Sequence, residues 1–214
     1  MKSTRYKLTN TLDTTLATAH QKEYASSLGI SLPENATKSD AKSLIDVLLD
    51  EDVSSPSSLI DYARHHKILC SSYIGYKYVH NLMFDNLDAI DLTAFFVYCV
   101  HQDIIREIHE NLDTHRHHEV FHQFAKTYFE DFYFAESLKD YYGEELLTFG
   151  KNTIPLPDGS TRTLYGGSKQ TLAYKTALSY LKENLGISPA PAADSSTPSD
   201  LPKTSFWNKL FKKN

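Results

Sequence analysis

The sequence predicts a mainly α-helical fold, with tandem small helix–loop–helix modules followed by a helical domain that carries a β-hairpin. Three observations predict it. Apolar residues recur at helical spacing from about residue 19 to residue 148. An N-terminal stretch repeats its apolar positions at an offset of 38 residues. One short region, around "PDG", combines β-prone runs with a turn signal. The 214 residues suffice for one ordinary domain or two small ones, and 14 Tyr and 11 Phe can build an aromatic core.

Residues 1–18, beginning "MKSTRYKLTN", read as a flexible lead-in without the apolar stretch of an export signal. Residues 19–88 hold the repeat, in which "YASSLGISL" from Tyr24 matches "YARHHKILC" from Tyr62. The same offset pairs Ala25 with Ala63, Ile30 with Ile68, Ala41 with Val79, Leu44 with Leu82, and Leu49 with Leu87. Apolar positions match while polar ones drift, as expected of a repeated core beneath a free surface. In the first unit Gly29 can close a short helix in the left-handed conformation, with Ile30 folding back. Pro33 keeps the chain extended. Thr37 with Asp40 forms an acidic variant of the capping box for a second helix, whose inward stripe is Leu44, Ile45, Leu48 and Leu49.

This first unit, "HQKEYASSLGISLPENATKSDAKSLIDVLL", resembles the SAP-like helix–extended-loop–helix modules. The resemblance rests on "LGI", the loop and "TKSDAKSLI", and covers residues 20–49, with a divergent second copy at 58–87. It implies a binding module: such modules usually bind DNA, while some bind protein or serve as spacers. The resemblance also points to accessory proteins of phages and other mobile elements. The first copy carries Lys22, Lys38 and Lys42 against Glu23, Glu34, Asp40 and Asp46, a net charge of −1. The second copy offers Arg64, His65, His66, Lys67, Tyr76, Lys77 and Tyr78, basic residues interleaved with aromatics that can meet phosphates and bases. The same tyrosines can instead pack between the modules.

Residues 89–187 form the predicted helical domain. "DLTAFFVYCVHQDIIREI" reads as a core helix, although "TAFFVYCV" alone also fits a strand. After the break at "LDTH", a helix is expected from Asp113 or Thr114 through Val120, Phe121, Phe124 and Tyr128. Another is expected over residues 134–142, stopping at Gly143. "LLTFGKNTIPLPDGSTRTLYGG" predicts a β-hairpin at about residues 147–166. "SKQTLAYKTALSYLKENLGI" then reads as a helix capped by Ser168 and closed by Gly186. Residues 188–204, rich in Pro, Ala and Ser, read as a disordered linker, and residues 205–214 as an amphipathic peptide.

Three places could carry chemistry. His118-Glu119-Val120-Phe121-His122 is H-E-x-x-H, in which two histidines one helical turn apart hold zinc and the glutamate is general base. On a continuous helix His115 falls within about 60° of both and could be the third ligand, as could Glu136, Glu144 or Glu145. Arg116 just upstream, helices where a sheet is usual, and the missing Gly-x-x-His extension all depart from the zinc-peptidase pattern. The leading expectation is therefore no catalytic residue, metal or cofactor, with a zinc-dependent metallopeptidase or hydrolase as the alternative. In "YGGSKQT", Gly167, Ser168 and Lys169, with Arg162, could hold an anion at a helix start, although the phosphate-loop spacing is lacking. In the tail, Phe206 and Leu210, and Trp207 and Phe211, lie four apart with Lys209, Lys212 and Lys213 elsewhere. Such a peptide suits a partner groove, weak peripheral membrane contact, or its own domain.

Bulk properties narrow the function. The net charge of −5 argues against strong whole-molecule attraction to nucleic acid, and residues 89–148 alone carry −8. Cys70 and Cys99 make no disulfide framework, which points to a reducing, cytoplasmic location. No run of 18 apolar residues offers a membrane span. The expected function is that of a non-enzymatic macromolecule-binding or adaptor protein contacting a protein partner or nucleic acid.

Overall fold

The computed structural model describes residues 8–106, 111–155, 161–165 and 167–187. Among these residues the protein is mainly helical. Its helices are α1 (Ala19–Ser27), α2 (Lys38–Leu49), α3 (Ser57–His65), α4 (Tyr76–Asn86), α5 (Ala89–Ile105), α6 (His118–Tyr128), α7 (Phe132–Leu138) and α8 (Leu172–Leu185). Strands β1 (Lys151–Pro155) and β2 (Thr161–Tyr165) pair antiparallel, with Thr153 opposite Thr163. The linker expected at 188–204 and the peptide at 205–214 lie outside the described residues.

Local chemistry explains the helix ends. Thr18 and Gln21 cap α1 reciprocally, and Thr37 and Asp40 do the same for α2. Asp88 accepts from the amide of Asp91 at the start of α5. Gly29 follows α1 at φ +78°, and Gly186 follows α8 at φ +64°, both left-handed as the helix-stop reading requires. The start of α4 is built differently. Its N-cap is Gly75, which has no side chain to offer. Asp52 supplies the missing acceptor from the preceding loop, taking the amides of Lys77 at 2.9 Å and Tyr78 at 3.4 Å. A Cβ on Gly75 would lie 2.2 Å from that carboxylate, so the arrangement needs glycine.

The two N-terminal helix pairs share a hydrogen-bond skeleton. Both ends of α3 lie 38 residues after those of α1, and α4 starts 38 residues after α2. Each pair is laced by one isolated bridge, Leu16 to Thr37 and Ser54 to Gly75. Ala17 N donates to Ala36 O as Ser55 N does to Ile74 O, and Ile30 N donates to Ala25 O as Ile68 N does to Ala63 O. Lys67 stands where Gly29 stands, at φ +59°. The lead-in, read from the sequence as flexible, is tied down from Leu8 onward. Leu8 N donates to Asp85, the Asn10 side chain bonds the Lys67 carbonyl and the Leu69 amide, and Thr15 O accepts from Lys38 N.

The two pairs bury different amounts. The first closes over Ala17, Ala25, Ala36, Ala41 and Ile45. The second joins the main core through Leu59, Ile60, Tyr62, Val79, Leu82 and Met83. The centre of that core is α5, buried without interruption from Thr93 to His101. A helix buried all round needs neighbours on every side. Tyr62 stacks on Phe95, while Phe96 meets Phe134, Tyr141 and Phe149 edge-on at 5.1–6.0 Å. A 3₁₀ turn, Gly143–Leu147, presses on α4 so closely that a Cβ on Gly143 would sit 2.2 Å from the His80 carbonyl oxygen.

Three boundaries correct the sequence reading. Helix α6 begins at His118, not at Asp113 or Thr114. The cause is His115, whose ring is drawn into the core against Tyr98, His101 and Phe121, holding residues 113–117 in turns. Helix α7 ends at Leu138, and Gly143 opens a 3₁₀ turn rather than stopping a helix. Thr171, not Ser168, caps α8, its hydroxyl accepting from Tyr174 N at 3.2 Å while Ser168 lies in the preceding 3₁₀ turn, Gly167–Gln170.

Candidate functional site

The basic residues of the second helix pair lie around the loop between α3 and α4. Arg64 lies in the last turn of α3 and Lys67 just beyond it, while Tyr76 and Lys77 lie in the first turn of α4. Arg64 donates to the Cys70 carbonyl at 3.3 Å and to the Ser72 hydroxyl at 3.0 Å, pinning the loop. Lys77 reaches the carbonyls of Asp50 at 3.2 Å and Glu51 at 3.4 Å, beyond the end of α2. Both side chains remain exposed, and so does Lys67. The Tyr76 ring is half-buried, edge-on to His80 at 4.7 Å. Asp40, Asp46, Asp50, Glu51 and Asp52 share this side of the molecule with them: Asp40 accepts from Ser71, and the other four lie in or just after the end of α2. Cations and carboxylates are thus mixed here.

The histidine segment is arranged unlike a zincin helix. His118 and His122 are on α6 and Glu119 is exposed beside them, but His115 precedes the helix and is buried. The 60° sector therefore does not form. His115 Nδ1 accepts from His117 N at 3.0 Å, and the His115 carbonyl is 3.0 Å from His118 Nδ1. His122 faces Asp113 at 3.6 Å. Among the described residues no three His, Cys, Asp or Glu side chains are disposed to hold a metal ion.

What gathers here instead is a ring cluster that the sequence reading missed. His101, on α5, lies 5.1 Å from His115 and 5.7 Å from His117, centroid to centroid, with Phe121 closing one side. His101 is 1% exposed, and its Nδ1 has no hydrogen-bond partner among the described residues. Burial, and then the neighbouring charges of His115, His117 and Arg116, push its pKa down to about 4. Burial and Arg116 also lower that of His117. His80, enclosed between α4 and α5, is pushed down to about 4 by burial, against the pull of its bond to the Tyr76 carbonyl. The chief signal in the sequence was the density of histidines. Their convergence is tertiary.

At the glycine turn, Gly167 and Ser168 lie in the 3₁₀ turn, and Arg162 stands opposite Ile154 in the strand pair. Lys169 is paired with Asp103 of α5 at 2.5 Å, and the Tyr174 hydroxyl donates to the same oxygen at 2.7 Å. The Asp103 side chain is only 7% exposed, so this lysine balances a buried carboxylate. Burial and the Asp103 carboxylate both raise the Tyr174 pKa, keeping the hydroxyl a donor. The tail residues Phe206, Trp207, Leu210 and Phe211 lie outside the described residues. The thiols of Cys70 and Cys99 are buried and their pKa values raised by burial, so neither is an activated nucleophile. No helix among the described residues is long and apolar enough to cross a membrane.

Comparison with family models, curated proteins and solved structures finds no match to this chain.

Proposed function

We propose that this chain is a non-enzymatic binding protein, an adaptor whose residues 19–88 are two copies of one SAP-like helix–extended-loop–helix module and whose first copy meets a protein partner. The observation that carries this is the 38-residue recurrence of backbone hydrogen bonds, set against the different fates of the two copies. The second copy is absorbed into the main core. The first leaves Leu16 62%, Leu48 48%, Leu49 54% and Tyr24 43% exposed. Apolar side chains left open on a unit that adds nothing to the main core favour a contact outside the chain. The mixed charge around Arg64, Lys67 and Lys77 supports a protein partner over nucleic acid, because phosphates need an excess of cations. Two buried free thiols fit the cytoplasm, and the module type fits an accessory protein of a phage or other mobile element.

The test is cross-linking of the full chain in its native host, compared with a Leu48→Ser, Leu49→Ser variant. Cross-links from residues 19–49 to one protein, lost in the variant, are expected. Fluorescence anisotropy with labelled duplex and single-stranded DNA at physiological salt runs beside it. A saturable rise that Lys67→Glu abolishes, with no protein cross-link, would transfer the role to nucleic acid. The zinc-hydrolase alternative rests on the H-E-x-x-H pattern alone, and one zinc per chain in the purified protein would revive it.

A further inference from the structure

A groove of about 410 Å³ opens between the end of α4, the first turn of α5 and α7. Phe84 and Leu92 form one wall, and Phe129, Leu138 and Tyr142 the other. We infer that this groove is the docking site of the chain's own residues 1–7, with Tyr6 as the side chain that fills it.

The chain arrives at the groove from that direction. Leu8, the first described residue, donates its backbone N–H to Asp85 at 2.8 Å, and its carbonyl accepts from Asn86 at 3.1 Å. Asp85 is itself a groove residue. An extended residue spans roughly 3.3 Å, so the two-residue step from Leu8 back to Tyr6 can reach about 7 Å from this anchor. Tyr6 is the only aromatic residue among the first seven. Its ring matches apolar walls, and its hydroxyl can stay at the open mouth. Charge agrees as well: Lys2, Arg5 and Lys7 flank Tyr6, whereas the groove is lined by Asp85, and the cation that lines it, Lys139, is paired with Glu136.

The other aromatic segment, residues 205–214, must be brought from Ile187 across residues 188–204. Closing that long loop costs more entropy than fixing the single residue, Lys7, that separates Tyr6 from its anchor, so the local segment has the higher effective concentration. A partner peptide entering the groove has to displace the N-terminal segment.

Hydrogen exchange read by mass spectrometry tests this on four forms: the full chain, a chain starting at Leu8 after its initiator Met, a Tyr6→Ser chain, and a chain ending at residue 204. In the second and third, amides of residues 83–93 and 129–142 should exchange roughly tenfold faster, as expected when a buried aromatic side chain is lost, with α1, α2 and α8 unchanged. A synthetic peptide of residues 1–8 should restore protection to the chain starting at Leu8. Unchanged exchange in both N-terminal variants overturns the inference. So does faster exchange at the groove in the chain ending at 204 alone, which would give the groove to the C-terminal segment.

Discussion

Protonating His101 would place a charge at a site 1% exposed, beside His115, His117 and Arg116. His80 faces the same difficulty between Tyr76 and Phe95. Both titrate at about 4 in the fold, against about 6.5 in an unfolded chain. Between those values the unfolded chain binds more protons, so their contribution is complete above about pH 6.5 and is lost as pH falls towards 4. The urea midpoint should therefore drop between pH 7 and pH 5. His101→Phe keeps the ring shape and removes one of the depressed histidines, so that drop should become shallower, with His80 and His117 supplying the remainder. A variant whose profile overlays the wild type would show that His101 titrates normally. A second residue-scale effect belongs to Asp52, the surrogate cap of α4. Asp52→Ala should lower stability by about 1–2 kcal/mol, as other lost caps do, while Asp52→Asn keeps most of it. Equal losses in the two variants would mean that charge, not the acceptor geometry, is what matters there.

Between elements, the Lys169–Asp103–Tyr174 group ties the 3₁₀ turn before α8 to the last turn of the core helix. Lys169→Met would leave a nearly buried carboxylate with one neutral donor. Because the lysine is 33% exposed, the loss should fall below that of a fully buried pair, at roughly 1–3 kcal/mol. Tyr174→Phe should cost about 1 kcal/mol. If Lys169 held phosphate instead, millimolar phosphate would raise the Tm of the wild type and not of Lys169→Met. The capping box at Thr37 and Asp40, and the stops at Gly29 and Gly186, were legible in the sequence because cap chemistry spans only three or four residues. Ser168 and Thr171 are cap-type residues three apart, and nothing local chooses between them. The choice falls to Thr171, whose hydroxyl also bonds Tyr141, a residue thirty positions away. The start of α6 was hidden for the same reason, because the pull on His115 comes from Tyr98 and His101 on another helix. Of the candidate site, His118, Glu119 and His122 stand on one helix as the pattern required, and among the described residues no third metal-ligating side chain joins them.

At the scale of the whole molecule, the two N-terminal helix pairs differ in how much holds them. The first helix pair buries four alanines and Ile45, whereas its counterpart shares a continuous apolar cluster with α5, α6 and α8. An alanine removes little area from water, and a Leu or Phe side chain contributes about 1.5–3 kcal/mol when fully buried. Polar links join the first pair to the rest, among them Ser71 to Asp40 at 2.6 Å and Lys77 to the carbonyls after α2. Such exposed or half-buried bonds add about 0.5–1.5 kcal/mol each. The first pair should therefore open as a unit well before the core unfolds. Native-state hydrogen exchange at low urea should show the amides of α1 and α2 exchanging together, with a lower opening free energy than those of α5. Ala41→Gly, inside α2, should lower that opening energy by about 1 kcal/mol and leave the exchange of α5 unaltered. If α1, α2 and α5 all exchange through one common opening, the first pair is bound into the core more tightly than its buried area indicates. The reading of it as a semi-independent contact module then fails with it.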